Sequence, residues 1–301
     1  MELSGLQVAV TGATGFIGRY LCAALHRRGA RVIGVARNPE RVPRLGEHCA
    51  ELRQADLADA AALARGFAGA DVVVSNAALF RLDNSNWREL EQTNIQGGRN
   101  VMQAAARAGV QRLLLMSSCG VYASMGRDTP SESGALYGPH SRRLRFNHYM
   151  ISKALAERDA WDLAGQLDIA MTAIRPSAVY GAHDTNFMPR LLRAARQPVS
   201  FPFIRFSLVY AGDVAEALCD SIADDRSIGK AYNTAGDDLA LDRFVDALRE
   251  AYAIRLPTRW RLPVPLPFRN TFDSTLARRE LGFANRSYAE GLADTRRLEG
   301  Q

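Results

Sequence analysis

Apolar runs and amphipathic stretches alternate through the first two-thirds of the chain. Leu6–Val10, Arg31–Val35, Val72–Ser75, Arg112–Met116 and Ala170–Ile174 are short and rich in apolar residues, the pattern of strands covered on both faces. Between the first two, Phe16, Ile17, Tyr20, Leu21, Ala24 and Leu25 recur at helical spacing, and Trp87–Ala108 reads as one long helix closed by Gly109. A repeating βα unit predicts an α/β fold, a parallel sheet with helices on both faces. After about Ile174 the rhythm breaks, with Pro176, Gly181, Pro189, Pro198 and Pro202, then Pro257, Pro263, Pro265 and Pro267. The expected division is a larger domain over 1–180, rejoined by a strand and helix in Leu208–Ile222, and a smaller portion made of 181–207 and 223–301.

Two clusters of residues carry chemistry. In Val8-Ala9-Val10-Thr11-Gly12-Ala13-Thr14-Gly15-Phe16-Ile17-Gly18, three glycines fall at the hinge between the first strand and the first helix. Gly12 permits a tight turn, Gly15 lets backbone approach a pyrophosphate, and Gly18 lets helix and strand pack closely. The spacing is not that of an ATP-binding P-loop, and it points to a dinucleotide. At the end of the second strand, where an acid would grip the ribose of NAD, the chain has Ala36-Arg37-Asn38-Pro39, so NADP(H) is favoured with NAD(H) as the alternative. Asp56 and Leu57, after the third strand, are placed to flank the adenine.

The second cluster is a tyrosine and a lysine one helical turn apart. Of nine tyrosines only Tyr149 has a lysine four residues on, Lys153, so the two side chains share a helix face. A fixed cation there favours the phenolate and makes the phenol a usable acid or base. Among 38 basic residues lysine occurs only at Lys153 and Lys230, which marks Lys153 as a residue arginine could not replace. The fifth strand runs into Ser117-Ser118-Cys119-Gly120, and polar residues at the carboxyl end of a parallel strand face the ligand crevice. Ser118 is the expected hydroxyl donor to the substrate oxygen, with Ser117 as the alternative.

Composition narrows the function classes. With 301 residues, 47% of them hydrophobic, the chain can bury a large core. The formal charge of +6 comes from arginines spread among acids, a solvated surface and not a nucleic-acid footprint. No apolar stretch is long enough to span a membrane, and the N-terminus has no leader pattern, so a cytoplasmic protein is expected. Cys22, Cys49, Cys119 and Cys219 and the five histidines form no metal-ligating spacing; reduced thiols and no metal are expected.

With glycines, serine and Tyr-x-x-x-Lys in that order, the chain resembles the extended short-chain dehydrogenase/reductase superfamily, also called NAD-dependent epimerase/dehydratase. The resemblance implies a Rossmann doubly wound sheet with a smaller C-terminal substrate-binding portion. It also assigns roles to Asn76-Ala77-Ala78 beside the cofactor and to Asn94, in Thr93-Asn94-Ile95-Gln96-Gly97, which would hold the active-site geometry or a proton-relay water. In Arg175-Pro176-Ser177-Ala178-Val179-Tyr180-Gly181 it implies that Pro176, Ser177 and Val179 lie beside the nicotinamide. Arg37-Asn38-Pro39 is similar to the branch of dihydroflavonol reductases and 3β-hydroxysteroid dehydrogenases, whereas Phe206-Ser207-Leu208 stands where sugar-nucleotide epimerases often have an arginine. The expected activity is a ketoreductase or alcohol dehydrogenase acting on a small molecule. The rivals are an NAD-retaining nucleotide-sugar epimerase or dehydratase and a non-catalytic dinucleotide sensor. Apolar residues in Leu191–Leu208 and Leu256–Phe272 suggest a non-sugar substrate or simply pack the smaller portion, and the insert Ala123–Phe146 with Arg142, Arg143 and Arg145 is placed to shape substrate entry. The resemblance implies a homodimer through the long helices Trp87–Ala108 and Tyr149–Gly165.

Overall fold

The computed structural model describes residues 3–81, 86–124, 126, 128–143, 146–200, 203–256, 260–261 and 268–300. Arg145, Pro202, Pro257, Pro263, Pro265 and Pro267 lie outside the described residues. In chain order the first strands are β1 (Gln7–Thr11), β2 (Arg31–Ala36), β3 (Glu51–Gln54), β4 (Val72–Ser75), β5 (Arg112–Met116), β6 (Ala170–Pro176) and β7 (Ala178–Tyr180). They are followed by β8 (Val199–Ser200), β9 (Ile204–Phe206), β10 (Leu208–Tyr210) and β11 (Ala231–Thr234). Seven of these form one parallel sheet in the order β11-β6-β5-β4-β1-β2-β3. The chain steps outward from β1 through β2 to β3, then returns to β4 on the other side. That reversal opens a crevice at the carboxyl ends of β1 and β4.

Helices cover both faces, which is why the strands are apolar without alternation. Val8, Val10, Val74, Leu114 and Met116 enter one core with α1 (Phe16–Arg27). Ala9, Val73, Leu113 and Leu115 enter the other, with α2 (Ala60–Phe67) and the C-terminal half of the segment predicted as Trp87–Ala108, whose Trp87 and Ile95 pack in a smaller core with Ile151 and Leu155. That segment is helical throughout but not uniform: α3 (Trp87–Leu90) passes into a π-helical turn, Glu91–Gln96, before α4 (Gly97–Arg107). A longer helix, α5 (His148–Leu167), packs beside α4.

The C-terminal third departs from the expectation in two places. Leu208–Ile222 does contain a strand and a helix, but β10 pairs with β7 in a separate two-stranded ribbon and not with the main sheet. After α6 (Met188–Ala195), α7 (Ala211–Ala223) returns to the larger layer, tied to α1 by Arg27 and Arg28 against Glu216 and Asp220. The edge strand that completes the sheet is β11, from the stretch expected in the smaller portion. Its Asn233 and Thr234 are fully buried polar residues, so it lacks the apolar signature of the other strands. The remainder comprises β12 (Leu239–Ala240), α8 (Leu241–Ala251), β13 (Trp260–Arg261), β14 (Phe268–Asn270), α9 (Thr275–Leu281) and α10 (Tyr288–Glu299). Here β12, β9 and β14 make a three-stranded sheet, and β13 pairs with β8.

Candidate active site

The glycine turn is built by exclusion of side chains. Gly12 has φ of +66° and sits so close to the next crossover that a Cβ there would meet Ala77 Cα at 2.9 Å. A Cβ on Gly18 would lie 2.1 Å from the Gly12 carbonyl oxygen, and one on Gly15 3.1 Å from the same atom. No other residue type fits at 18 without moving backbone, and Gly15 itself is exposed at the start of α1. Exposed backbone N–H groups at a helix start, with no side chain in front of them, suit a pyrophosphate.

The crevice wall opposite is pinned to this turn. Thr11 Oγ1 donates to the Val74 carbonyl at 3.3 Å and accepts from the N–H groups of Asn76 and Ala77 at 3.0 and 3.1 Å. Asn76 Nδ2 returns the contact to the Thr11 carbonyl at 3.2 Å. Thr11 was not singled out from sequence, although its place directly before Gly12 at a strand end is a usable signal. Ala78 lies exposed after these, and Thr14, Phe16 and Ile17 are half-buried around the turn. Arg37 follows β2 with its side chain 78% exposed, 3.9 Å from the Asp56 carboxylate, and its carbonyl accepts from Gln54 Nε2. Leu57 packs under α4, where a Cβ on Gly97 would be 3.0 Å from its own. Pro176 ends β6, and the Ser177 N–H donates to the Thr234 carbonyl at 3.2 Å. Val179 pairs with Val209.

Helix α5 crosses the end of β5. Lys153 is buried, and its Nζ donates to the Met116 carbonyl at 2.7 Å. One turn earlier, Met150 packs on Gly120, whose N–H donates to Ser118 Oγ at 3.0 Å. Ser118 is half-buried, whereas the Ser117 side chain is buried and donates to Glu157. The two serines therefore serve different partners, and of the two hydroxyls Ser118 is the one toward the Tyr149 end of α5. Tyr149 stands half-buried with the Phe80 ring edge-on to its own, centroids 4.8 Å apart. Phe80, at the rim after β4, was not anticipated.

Asn94 faces inward from the π-helical turn. Its Oδ1 accepts from the Leu79 N–H at 2.7 Å, and its Nδ2 donates to the Leu79 carbonyl at 3.0 Å and to Ser152 Oγ at 2.9 Å. Ser152 in turn donates to the Tyr149 carbonyl at 2.7 Å. A widened turn is how a helix re-aims one side chain without ending, and here it joins the rim carrying Phe80 to the helix carrying Tyr149.

The electrostatics differ from the sequence-based expectation. Burial pushes the Tyr149 phenol above its ordinary value, and the same cause pushes Lys153 down to about 8. Spacing of four residues puts both groups on one face, but the ammonium is bonded to the Met116 carbonyl and a dry setting favours the neutral form of each. At neutral pH the phenol therefore carries its proton, as a general acid must. A separate cleft of about 370 Å³, lined by Thr129, Gly236, Asp237, Asp273 and Arg278 among others, includes none of these groups.

Comparison with known proteins follows the same lines. The NAD dependent epimerase/dehydratase family matches over residues 8–235, well over half of the chain. Cinnamoyl-CoA reductase 1 of Petunia hybrida is 33% identical over 192 residues, 60% of this chain and 56% of that one, so the chain spans little more than half of that relative's length. A 4-hydroxy-2-methyl-3-oxo-4-farnesyl-3,4-dihydroquinoline-1-oxide ketoreductase of Stigmatella aurantiaca is 28% identical over 95% of each chain. Among solved structures, MoeE5 in complex with UDP-glucose and NAD is similar with a TM-score of 0.77 and 26% identity, covering 97% of this chain and 99% of that one.

Proposed function

The chain belongs to the NAD dependent epimerase/dehydratase family and is an NAD(P)-dependent enzyme, and from that premise we propose that it is an NADP(H)-dependent ketoreductase or alcohol dehydrogenase. The observation that carries the reading is the way α5 lies across the end of β5, with Lys153 on the Met116 carbonyl and Met150 against Gly120, whose N–H donates to Ser118 Oγ. This supports the reading because the N-terminal end of α5, with Tyr149, and the Ser118 hydroxyl lie at the carboxyl end of β5, the same edge of the parallel sheet that carries the glycine turn after β1. When bound, the dinucleotide supplies or accepts hydride. Ser118 and Tyr149 hold the carbonyl oxygen, Tyr149 gives it a proton, and Lys153 steadies the resulting charge. Asn94 keeps Tyr149 in line through Ser152, while Gly12, Gly15 and Gly18 admit the pyrophosphate.

Two features support the finer reading. Arg37 at the end of β2 suits a ribose phosphate, with Asp56 and Leu57 at the adenine, Asn76, Ala77 and Ala78 along the crevice and Pro176, Ser177 and Val179 near the nicotinamide. The Phe80 ring on Tyr149 suits a carbonyl compound with an apolar body, and the similar cinnamoyl-CoA reductase and ketoreductase point the same way. A nucleotide-sugar epimerase is the second reading, favoured by the likeness to MoeE5 with its UDP-glucose and NAD. Thermal stability with NADP⁺, with NAD⁺ and without cofactor separates the two, because the ligand bound more tightly raises Tm further. Release of stoichiometric NAD on denaturing the purified protein would overturn the reductase reading. The outer faces of α4 and α5 are the proposed contact of a homodimer, to be checked by sedimentation.

A further inference from the structure

Helix α5 carries a third ionisable side chain in line with the first two. Glu157 follows Lys153 by four residues as Lys153 follows Tyr149, so all three lie along one face. Glu157 is 1% exposed and Arg175, on β6, is 4% exposed. The Glu157 carboxylate accepts from Ser117 Oγ, from Arg175 through Nε at 3.0 and 3.1 Å as well as Nη2, and from Trp161 Nε1 at 3.3 Å. Arg175 also donates to Tyr122 Oη at 2.8 Å and to the Glu132 carbonyl at 3.2 Å.

An ion pair buried this deeply is a poor device for stability, because the cost of drying both charges offsets their attraction. Its placement has another use. Successive turns of α5 bond successive residues at the end of β5, Lys153 to the Met116 carbonyl and Glu157 to the Ser117 hydroxyl. The next residue is Ser118.

We infer that Glu157 is a positioning residue of the proton-transfer site, fixing the backbone that presents Ser118 and supplying the negative charge that the buried Lys153 ammonium faces. The inference rests on the reading of Tyr149, Lys153 and Ser118 given above. The groups around Lys153 are Tyr149 and Glu157 on its own helix, the Met116 carbonyl on β5, Arg175 on β6 behind Glu157, and Asn94 and Ser75 across a cavity of about 20 Å³. Burial lowers Lys153 and the Glu157 charge acts against that fall. Glu157→Gln keeps the shape, removes the charge and leaves the Arg175 guanidinium uncompensated behind the ammonium, so Lys153 loses its proton at a lower pH still.

The chain has only two lysines, so Lys230→Arg leaves Lys153 as the sole signal in a protein labelled with ¹³C at the lysine ε-carbon. Its titration is then read directly by NMR, with no substrate. The Lys153 midpoint is expected to fall by about one pH unit or more in Glu157→Gln and to recover at least partly in Glu157→Asp. The alkaline limb of the kcat profile should fall with it. An unmoved midpoint in a folded Gln variant overturns the electrostatic half. Ser117→Ala, which spares every charge, tests the other half: kcat should drop about tenfold or more with the Lys153 midpoint and NADPH affinity unchanged, and an unaltered kcat overturns it. A parent protein that turns over no carbonyl compound would sink the oxidoreductase reading while leaving the lysine titration as it stands.

Discussion

The glycine turn and the N-terminal part of helix α5 both lie at the carboxyl ends of the parallel strands and are specified in opposite ways. At the turn, the shape depends on side chains that are missing: a methyl group at Gly12 or Gly18 would collide with backbone, and one at Gly15 would crowd the Gly12 carbonyl. Along α5, the proposed site depends on side chains that are present, with Tyr149 on Phe80 after β4, Lys153 on the Met116 carbonyl of β5, Glu157 on Ser117 and on Arg175 of β6, and Ser152 on Asn94 of the π-helical turn. The steric requirement at Gly15 and Gly18 is met within the turn itself, and only that at Gly12 involves a distant residue, Ala77. An electrostatic one is met only after the whole sheet has assembled.

The two regions should separate most sharply at Tyr149. Tyr149→Phe is expected to cut kcat by about 10² to 10⁴ while NADPH affinity stays within a few-fold, measured by steady-state rates and fluorescence titration. A matching loss of cofactor binding would show that the two regions are not separable. Next in size, Gly18→Ala should do the reverse of a catalytic lesion, lowering stability by about 1–3 kcal/mol in urea unfolding and weakening the dinucleotide, because the Gly12 carbonyl has to move.

Lys153 gives a pH signature of similar or smaller size. Its value in the folded protein, about 8, lies below that of an exposed lysine, so between roughly pH 8 and 10.4 the unfolded chain binds more protons and stability rises with pH. Below that window the folded state bears the full cost of burying the charge. Tyr149 works in the opposite sense, and only above about pH 10, where the unfolded phenol ionises first. Urea unfolding at pH 7.5 and 9.5 should therefore show a gain on the order of 1–3 kcal/mol that shrinks in Lys153→Met. The smallest effect is expected at Arg37, which is mostly exposed. Arg37→Ala should weaken NADPH about tenfold and leave NADH nearly untouched, and equal losses for both would remove the case for a phosphate contact.

Much of this architecture can be read along the chain because it is local. Five strands fall within a residue or two of their apolar runs, and the glycine spacing, the Tyr-to-Lys interval and the serine pair need no knowledge of distant residues. What was hidden depends on partners far away in sequence. β11 carries no strand pattern in the sequence because Asn233 spends its polarity internally, its side chain accepting from Tyr122 and its N–H donating to the Glu132 carboxylate. The choice between Ser117 and Ser118 turns on Glu157, forty residues later. Spacing put Lys153 beside Tyr149, yet only the fold reveals that the ammonium is bonded to a strand carbonyl and that both groups are desolvated.

The position of β11 also bears on how the protein is made. β6 is finished at residue 176, and the strand that covers its outer edge ends only at residue 234. During synthesis, and in any product truncated between those points, a row of unpaired amides and carbonyls on an apolar strand is open to other chains. Fragments ending near residue 225 should therefore aggregate more readily than those reaching residue 240, in which β11 can cover that edge, so the exposed interval opens only after α5 has been made.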